Sequence, residues 1–317
     1  MAPETPTERP HDRAGTVRSS VVLGQWLDRS IEADVQLAAW ADELGYGQLW
    51  VPEMAKVDAP AFAAIVAERT EQIELVLGPL AVTVRSPVQI ALAATTVAAG
   101  GRATHVALGT SSSLVARWHG RTRAGAADRL ERTLADVVSL LDGGRVNGYR
   151  LPQPPDPRPT VTVAAFGPRA VEIARGADRM VLNMVTVETA ARLAPQHRNT
   201  AVWLCAAVDP TDDERAWLSR GLVGYLAAPG YGEMFAQAGH GDLVEFARTK
   251  PGPKEIFASM PPDLIDEVGL VGSETRIRER IAAYASAGIA EICLVPPAPD
   301  LPSARRTLEL LAPTAAV

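Results

Sequence analysis

The chain has 317 residues, 47% of them hydrophobic and 21% charged, with a formal net charge of −6. That is the composition of a globular protein with a sizeable core, and it excludes a chain-wide basic surface for nucleic acid and a disulfide framework, since only two cysteines are present. No uninterrupted apolar run is long enough to span a bilayer, so neither nucleic acid nor a membrane is an expected partner.

Residues 1–16, MAPETPTERPHDRAGT, are polar and proline-rich and read as a disordered tail without the apolar stretch of a secretion signal; 17–317 read as one domain. From Val17 the pattern alternates. VRSSVVLG (17–24) is a strand and IEADVQLAAWADELG (31–45) an amphipathic helix. GQLWV (47–51) is the second strand, with APAFAAIVAERT (59–70) as its helix. IELVLGPLAVTV (73–84) is the third, followed by PVQIALAATTVAAG (87–100), where Pro87 suits a helix start. THVALG (104–109) precedes the long helix 126–144. After the proline-rich connection 151–159 come TVTVAA (160–165), DRMVLNM (178–184), TAVWLCAAV (200–208) and EICLVP (291–296), each followed by helical sequence. Cys205 and Cys293 fall mid-strand and read as core residues in a reducing cytoplasm.

Eight strand-then-helix units predict a closed (β/α)₈ TIM barrel. A doubly wound open sheet is the rival, but no G-x-G-x-x-G follows the first strand. Residues 211–272 exceed a minimal barrel and read as a helical insertion between strand seven and the last full helix. It either extends the mouth or packs on a partner subunit.

In a barrel the strand C-termini carry the chemistry. Five histidines (11, 105, 119, 197, 240) are scattered without metal-ligand spacing. Lys56 is the one lysine near a strand end, and reads as a solvated loop residue rather than a Schiff-base lysine. GTSSS (109–113) is not a nucleophile elbow. Strand ends so short of acid, base and nucleophile suit cofactor-borne redox chemistry, in which the protein orients and the cofactor reacts. Gly109-Thr110-Ser111 and Gly167-Pro168-Arg169 offer backbone donors to an anion, the second at a helix start. Arg117, Arg121 and Arg123 form a basic cluster that reads as a solvated loop and helix start. One oddity stands out. Gly78-Pro79 interrupts an otherwise excellent buried strand, where both residue types are unfavourable.

Taken in order, 41–53, 67–110, 161–183, GYLAAPGY (224–231) and 268–296 resemble the bacterial-luciferase-like flavin and deazaflavin oxidoreductases. The resemblance implies a (β/α)₈ barrel, often a homodimer, holding coenzyme F420 or FMN at the C-terminal mouth. It implies a cis-peptide bulge in strand three against the cofactor ring, here Gly78-Pro79 with Ala81 beyond it. Proline is the residue type before which a cis bond is least disfavoured. Phosphate would lie on Gly109, Thr110, Ser111 and on Ala165, Phe166, Gly167, Pro168, with Arg169 nearby. Glu53 takes the strand-two position beside the ring. Ser112 stands near where some relatives carry an acid after the strand-four glycine, which leaves Glu53 and His119 as the catalytic candidates. Gln25, Trp26, Trp118, Tyr225 and Tyr231 are candidates for the substrate side. The expected activity is an F420-dependent oxidoreductase, chiefly a reductase. It would pass hydride to an activated C=C, C=N or C=O bond of a small metabolite or modified peptide, without a metal. The alternatives are an FMN-dependent monooxygenase and a non-catalytic cofactor- or partner-binding barrel.

Overall fold

A computed structural model describes residues 17–23, 29–53, 55–297 and 301–313. Nine strands form one parallel sheet: β1 (Arg18–Val22), β2 (Gln48–Val51), β3 (Glu74–Ala81), β4 (Thr104–Gly109), β5 (Val161–Ala164), β6 (Arg179–Asn183), β7 (Thr200–Val208), β8 (Leu270–Gly272) and β9 (Glu291–Val295). The order β6-β5-β4-β3-β2-β1-β9-β7 closes through a β6–β7 pairing, so eight strands make the barrel the sequence predicts. β8 is the addition: it pairs with Ala206–Val208 of β7, the half that runs past the ring of strands. Three residues are too few to announce a strand in sequence.

The pleat divides the strands' side chains between two cores. Val22, Trp50, Val76, Ala107, Val181, Ala201, Trp203, Cys293 and Val295 fill the barrel. Their neighbours, such as Val21, Leu49, Leu75, Leu108 and Leu182, face the helices. Both cysteines are free and buried, as expected.

The helices form where capping and periodicity agree. Helix 126–141 buries Leu130, Leu134, Val137 and Leu141, spaced four, three and four residues apart on one face. Burying each such side chain is worth about 1.5–3 kcal/mol. Ser86 caps helix 87–98 reciprocally with Gln89, as Thr211 and Glu214 do for helix 212–220, and losing such a cap costs about 1 kcal/mol.

The insertion is helical: 212–220, 223–226, 231–235, 241–248, 253–258 and 264–268, with a π turn at 236–240. Leu218, Leu222, Leu226, Phe235, Leu264 and Ile265 join the barrel's outer core. Asp266, which pairs with Arg215 and at 3.3 Å with Arg276, ties it to helix 274–286. Among the described residues no helix is long and apolar enough to cross a membrane. Residues 1–16 and the candidates Gln25 and Trp26 lie outside the described residues.

Candidate active site

The Gly78–Pro79 peptide bond is cis, and the β3–β4 register jumps between Leu77 and Leu80. One extra residue therefore bulges out of β3. Gly78 sits at φ +109°, where a side chain is strained, and a Cβ there would lie 2.2 Å from the Leu80 nitrogen and 2.5 Å from the Ala107 oxygen. Glycine is obligatory. The pair that reads as a flaw in the strand is what lets it bulge.

The bulge leans on its neighbours. A Cβ on Gly109 would come 3.1 Å from Pro79 Cβ and 3.6 Å from Ala164 Cβ. Pro79, Gly109 and Ala164, from three successive strands, thus form a ledge of minimal side chains at the barrel mouth, with Ala81 paired to Gly109. Ser111 follows with φ +57°, and Ser112 caps helix 113–118 by accepting from the Val115 N–H at 3.2 Å. The turn is fixed by a residue the sequence reading treated as solvated. Arg123 donates to Ser111 O at 2.7 Å and to Thr110 Oγ1 at 2.9 Å.

Past the ledge, the mouth turns aromatic. Phe166 stacks on Tyr231 with ring centroids 4.2 Å apart, and Tyr225 meets Tyr231 edge-on at 4.7 Å. Tyr231 donates to Asn183 O at 2.9 Å, and Asn183 Nδ2 donates to the Tyr225 hydroxyl at 3.2 Å. The insertion therefore docks on the end of β6 and on the loop after β5. Burial pushes both phenol pKa values up, so both stay protonated at neutral pH.

On the other side of the mouth, Glu53 is clamped by Arg85, whose Nε reaches its two carboxylate oxygens at 3.0 and 2.7 Å; Arg85 also pairs with Asp58. The hydrogen bond that Arg85 donates to Glu53 heads the causes that raise the Arg85 pKa. Val51 pairs with Leu77, so the chain emerging from β2 brings Glu53 out beside the bulge. Lys56 corrects its sequence reading. It is half-buried, 2.5 Å from Asp34, and Asp34 also binds Arg29 at 3.2 Å. Arg29 in turn donates to Pro297 O at 2.7 Å, linking the segments that follow β1, β2 and β9.

Other candidates land elsewhere. Arg169 pairs with Glu172 at 2.8 Å and Glu131 at 2.5 Å on the exposed side of its helix. Gly167 and Pro168 open only the seven-residue helix 168–174. Ala165 is buried in the outer core. Trp118 and His119 end helix 113–118 exposed to solvent.

Below the mouth the barrel is plugged. Glu291, the first residue of β9, receives Arg179 Nη1 at 2.5 Å, Ser20 Oγ at 2.6 Å and Trp50 Nε1 at 3.3 Å. Arg179 also reaches Thr162 and Gln48, at 3.1 and 2.7 Å, and lies over the Trp50 ring. Burial alone would raise the Glu291 pKa; Arg179, Ser20, Arg18 and Trp50 outweigh it, and the net shift is downward. Above this plug Trp203, paired with the last residue of β6, meets Trp50 edge-on at 5.4 Å. Its indole Nε1 is buried and has no hydrogen-bond partner among the described residues. The mouth thus combines a ledge of minimal side chains with a buried indole donor beneath it.

The fold matches solved structures from end to end. An F420-dependent secondary alcohol dehydrogenase in complex with an F420-acetone adduct aligns at TM-score 0.76 and 15% identity, over 93% of this chain and 98% of the other. The coenzyme F420-dependent tetrahydromethanopterin reductase from Methanopyrus kandleri aligns at 0.74 and 15%, over 94% and 98%. The oxygenating constituent of 3,6-diketocamphane monooxygenase from Pseudomonas putida, in complex with FMN, aligns at 0.65 and 17%, over 94% and 97%. No curated protein matches the sequence. The luciferase-like monooxygenase family model matches residues 10–291, and the chain belongs to that family of oxidoreductases.

Proposed function

We propose that the protein is an F420-dependent oxidoreductase, working as a reductase on a carbonyl-type bond of a small metabolite or modified peptide. The observation that carries this reading is the cis Gly78–Pro79 bulge packed against Gly109 and Ala164, a backstop that presents backbone and minimal side chains to a planar ring. The closer alignment with the two F420-dependent structures, 0.76 and 0.74 against 0.65, supports the same choice over FMN. When bound, reduced F420 would supply hydride.

The chain's own residues then orient and protonate. Gly78, Pro79, Ala81 and Gly109 would back the ring. Thr110 and Ser111, held by Arg123, would receive its phosphate. Glu53 would lie at the ring's edge with both carboxylate oxygens already engaged by Arg85. His119 stays in solvent. We therefore assign proton delivery to Tyr225, whose oxygen accepts from Asn183 and whose own O–H is left to donate. Burial keeps that hydroxyl protonated, and an alkoxide forming on a reduced carbonyl is basic enough to take the proton. Phe166 and Tyr231 would line the substrate side.

Native mass spectrometry of the protein with an equimolar mixture of F420 and FMN tests the reading. Retention of F420 is expected; exclusive retention of FMN would overturn it in favour of a flavin monooxygenase.

A further inference from the structure

Trp203 is 6% exposed, and its Nε1–H has no hydrogen-bond partner among the described residues. The other buried side-chain atoms left without partners are of a different kind. Those of Arg29, Arg102 and Arg179 belong to guanidiniums whose remaining nitrogens donate. Those of Thr83 and Ser219 are hydroxyls, which rotate and can accept as well as donate. An indole nitrogen only donates and is the one polar atom of its side chain, so burying it unpaired is costly.

The barrel also places that donor. Trp203 belongs with Trp50, Cys293 and Val295 to the residues that fill the interior. It pairs in register with Asn183, the last residue of β6. Inward positions recur at every second residue along β6, through Arg179 in the plug and Val181 in the interior, which makes Asn183 the next. Trp203 and Asn183 are therefore side by side on the inner wall. Asn183 Nδ2 donates to the Tyr225 hydroxyl at 3.2 Å, which leaves the Tyr225 O–H to donate at the same corner of the mouth. β7 is reached from β3 through β4, β5 and β6 one way and through β2, β1 and β9 the other. This corner thus faces the Gly78–Pro79 bulge across the barrel.

We infer that Trp203 is a substrate-polarising residue: its indole N–H and the Tyr225 O–H converge on one oxygen of the acceptor, which makes this a carbonyl site. The inference rests on the F420-dependent reductase reading above and narrows its acceptor to a ketone or aldehyde. A carbonyl oxygen has two lone pairs and accepts from both donors, whereas an imine nitrogen has one and a C=C carbon none. Hydride from the reduced deazaflavin forms the new C–H bond, and the C=O π pair moves to oxygen. Tyr225 gives that oxygen its proton, and solvent returns one to the tyrosinate. Trp203 keeps its own proton throughout and stabilises the negative charge as it develops.

The test uses the full chain saturated with oxidised F420, in whose presence a ketone binds without reacting. F420 binding is read from ring fluorescence, and the ¹⁵N-labelled indoles are observed by NMR. The Trp203 signal is the one that Trp203→Phe removes. Cyclohexanone is expected to move it downfield, and methylenecyclohexane, the same ring with C=CH₂ for C=O, to leave it in place. The Trp50 indole, already donating to Glu291, should not move with either. With reduced F420, Trp203→Phe should lower kcat for cyclohexanone about 100-fold, the cost of one lost donor to a developing oxyanion, and leave F420 affinity unchanged. If F420 binds but the indole responds to both probes alike or to neither, or the variant turns over at the wild-type rate, the carbonyl site is wrong and the F420 reading stands. If F420 does not bind, the F420 reading falls and the carbonyl site falls with it.

Discussion

The two ends of the barrel interior follow opposite rules. At the N-terminal end, Glu291, Arg179, Ser20, Gln48, Thr162 and Trp50 form a packed polar plug in which nearly every charge has a partner. At the C-terminal end, Gly78, Pro79, Gly109 and Ala164 present backbone and small side chains, and among the described residues the Trp203 indole holds a buried donor without a partner. At the first end the charges are spent on one another because a buried charge is tolerable only when paired, and only Arg179 Nη2 among the plug's donors is left without a partner among the described residues. The other is left unsatisfied because a binding site must keep its interactions for the ligand. The contrast separates residues that hold the barrel together from residues that use it.

Substitutions at both ends, and pH, test that separation. Glu291→Ala should have the largest effect, a loss of about 3–5 kcal/mol in urea unfolding, because Arg179 is left buried and unpaired. Arg179→Met/Glu291→Leu should recover most of that loss, since the burial penalty goes with the charges. Cofactor affinity of whatever folds should be unchanged. If the single variant is no less stable than the wild type, the plug is not what closes the barrel.

At the mouth the pattern should invert. Tyr225→Phe should lower turnover about 100-fold, a typical share for a general acid, while stability moves by no more than about 1 kcal/mol, the worth of one hydrogen bond. An unchanged rate would return proton delivery to His119 or water.

The smallest effect is in pH. The Glu291 pKa is lowered on folding, so its stabilisation is complete above the ordinary carboxyl value of 4.5 and is lost as pH falls through the lower, folded value. A melting curve taken from pH 6 downward should therefore fall more steeply for the wild type than for the Arg179→Met/Glu291→Leu variant. Parallel curves would show that other carboxylates carry the acid sensitivity.

Much of this was legible in the residues. Period-two and helical spacing predicted eight units and hence a closed barrel, and the Gly78-Pro79 interruption marked the bulge because so few residues fit its geometry. Tyr225 and Tyr231 were placed on the substrate side, and the mouth brings them together with Phe166. The partners of Lys56 and Arg169 are not legible in the sequence for one reason: a charged side chain's partner is set by the packing of distant segments. Asp34 lies 22 residues from Lys56, and Glu131 lies 38 from Arg169. Arg123 was missed in the same way. Its basic neighbourhood was the available signal, but only the fold-back of the loop put it on Thr110 and Ser111.

The sequence by itself determined the alternation of elements, the inward and outward faces of the strands and the backbone anomaly in β3, because these depend on local sterics and short-range periodicity. Only the tertiary structure decided which charges are spent on one another and which remain available. Barrel closure brings strands far apart in sequence to within a hydrogen bond, and no spacing along the chain encodes that distance.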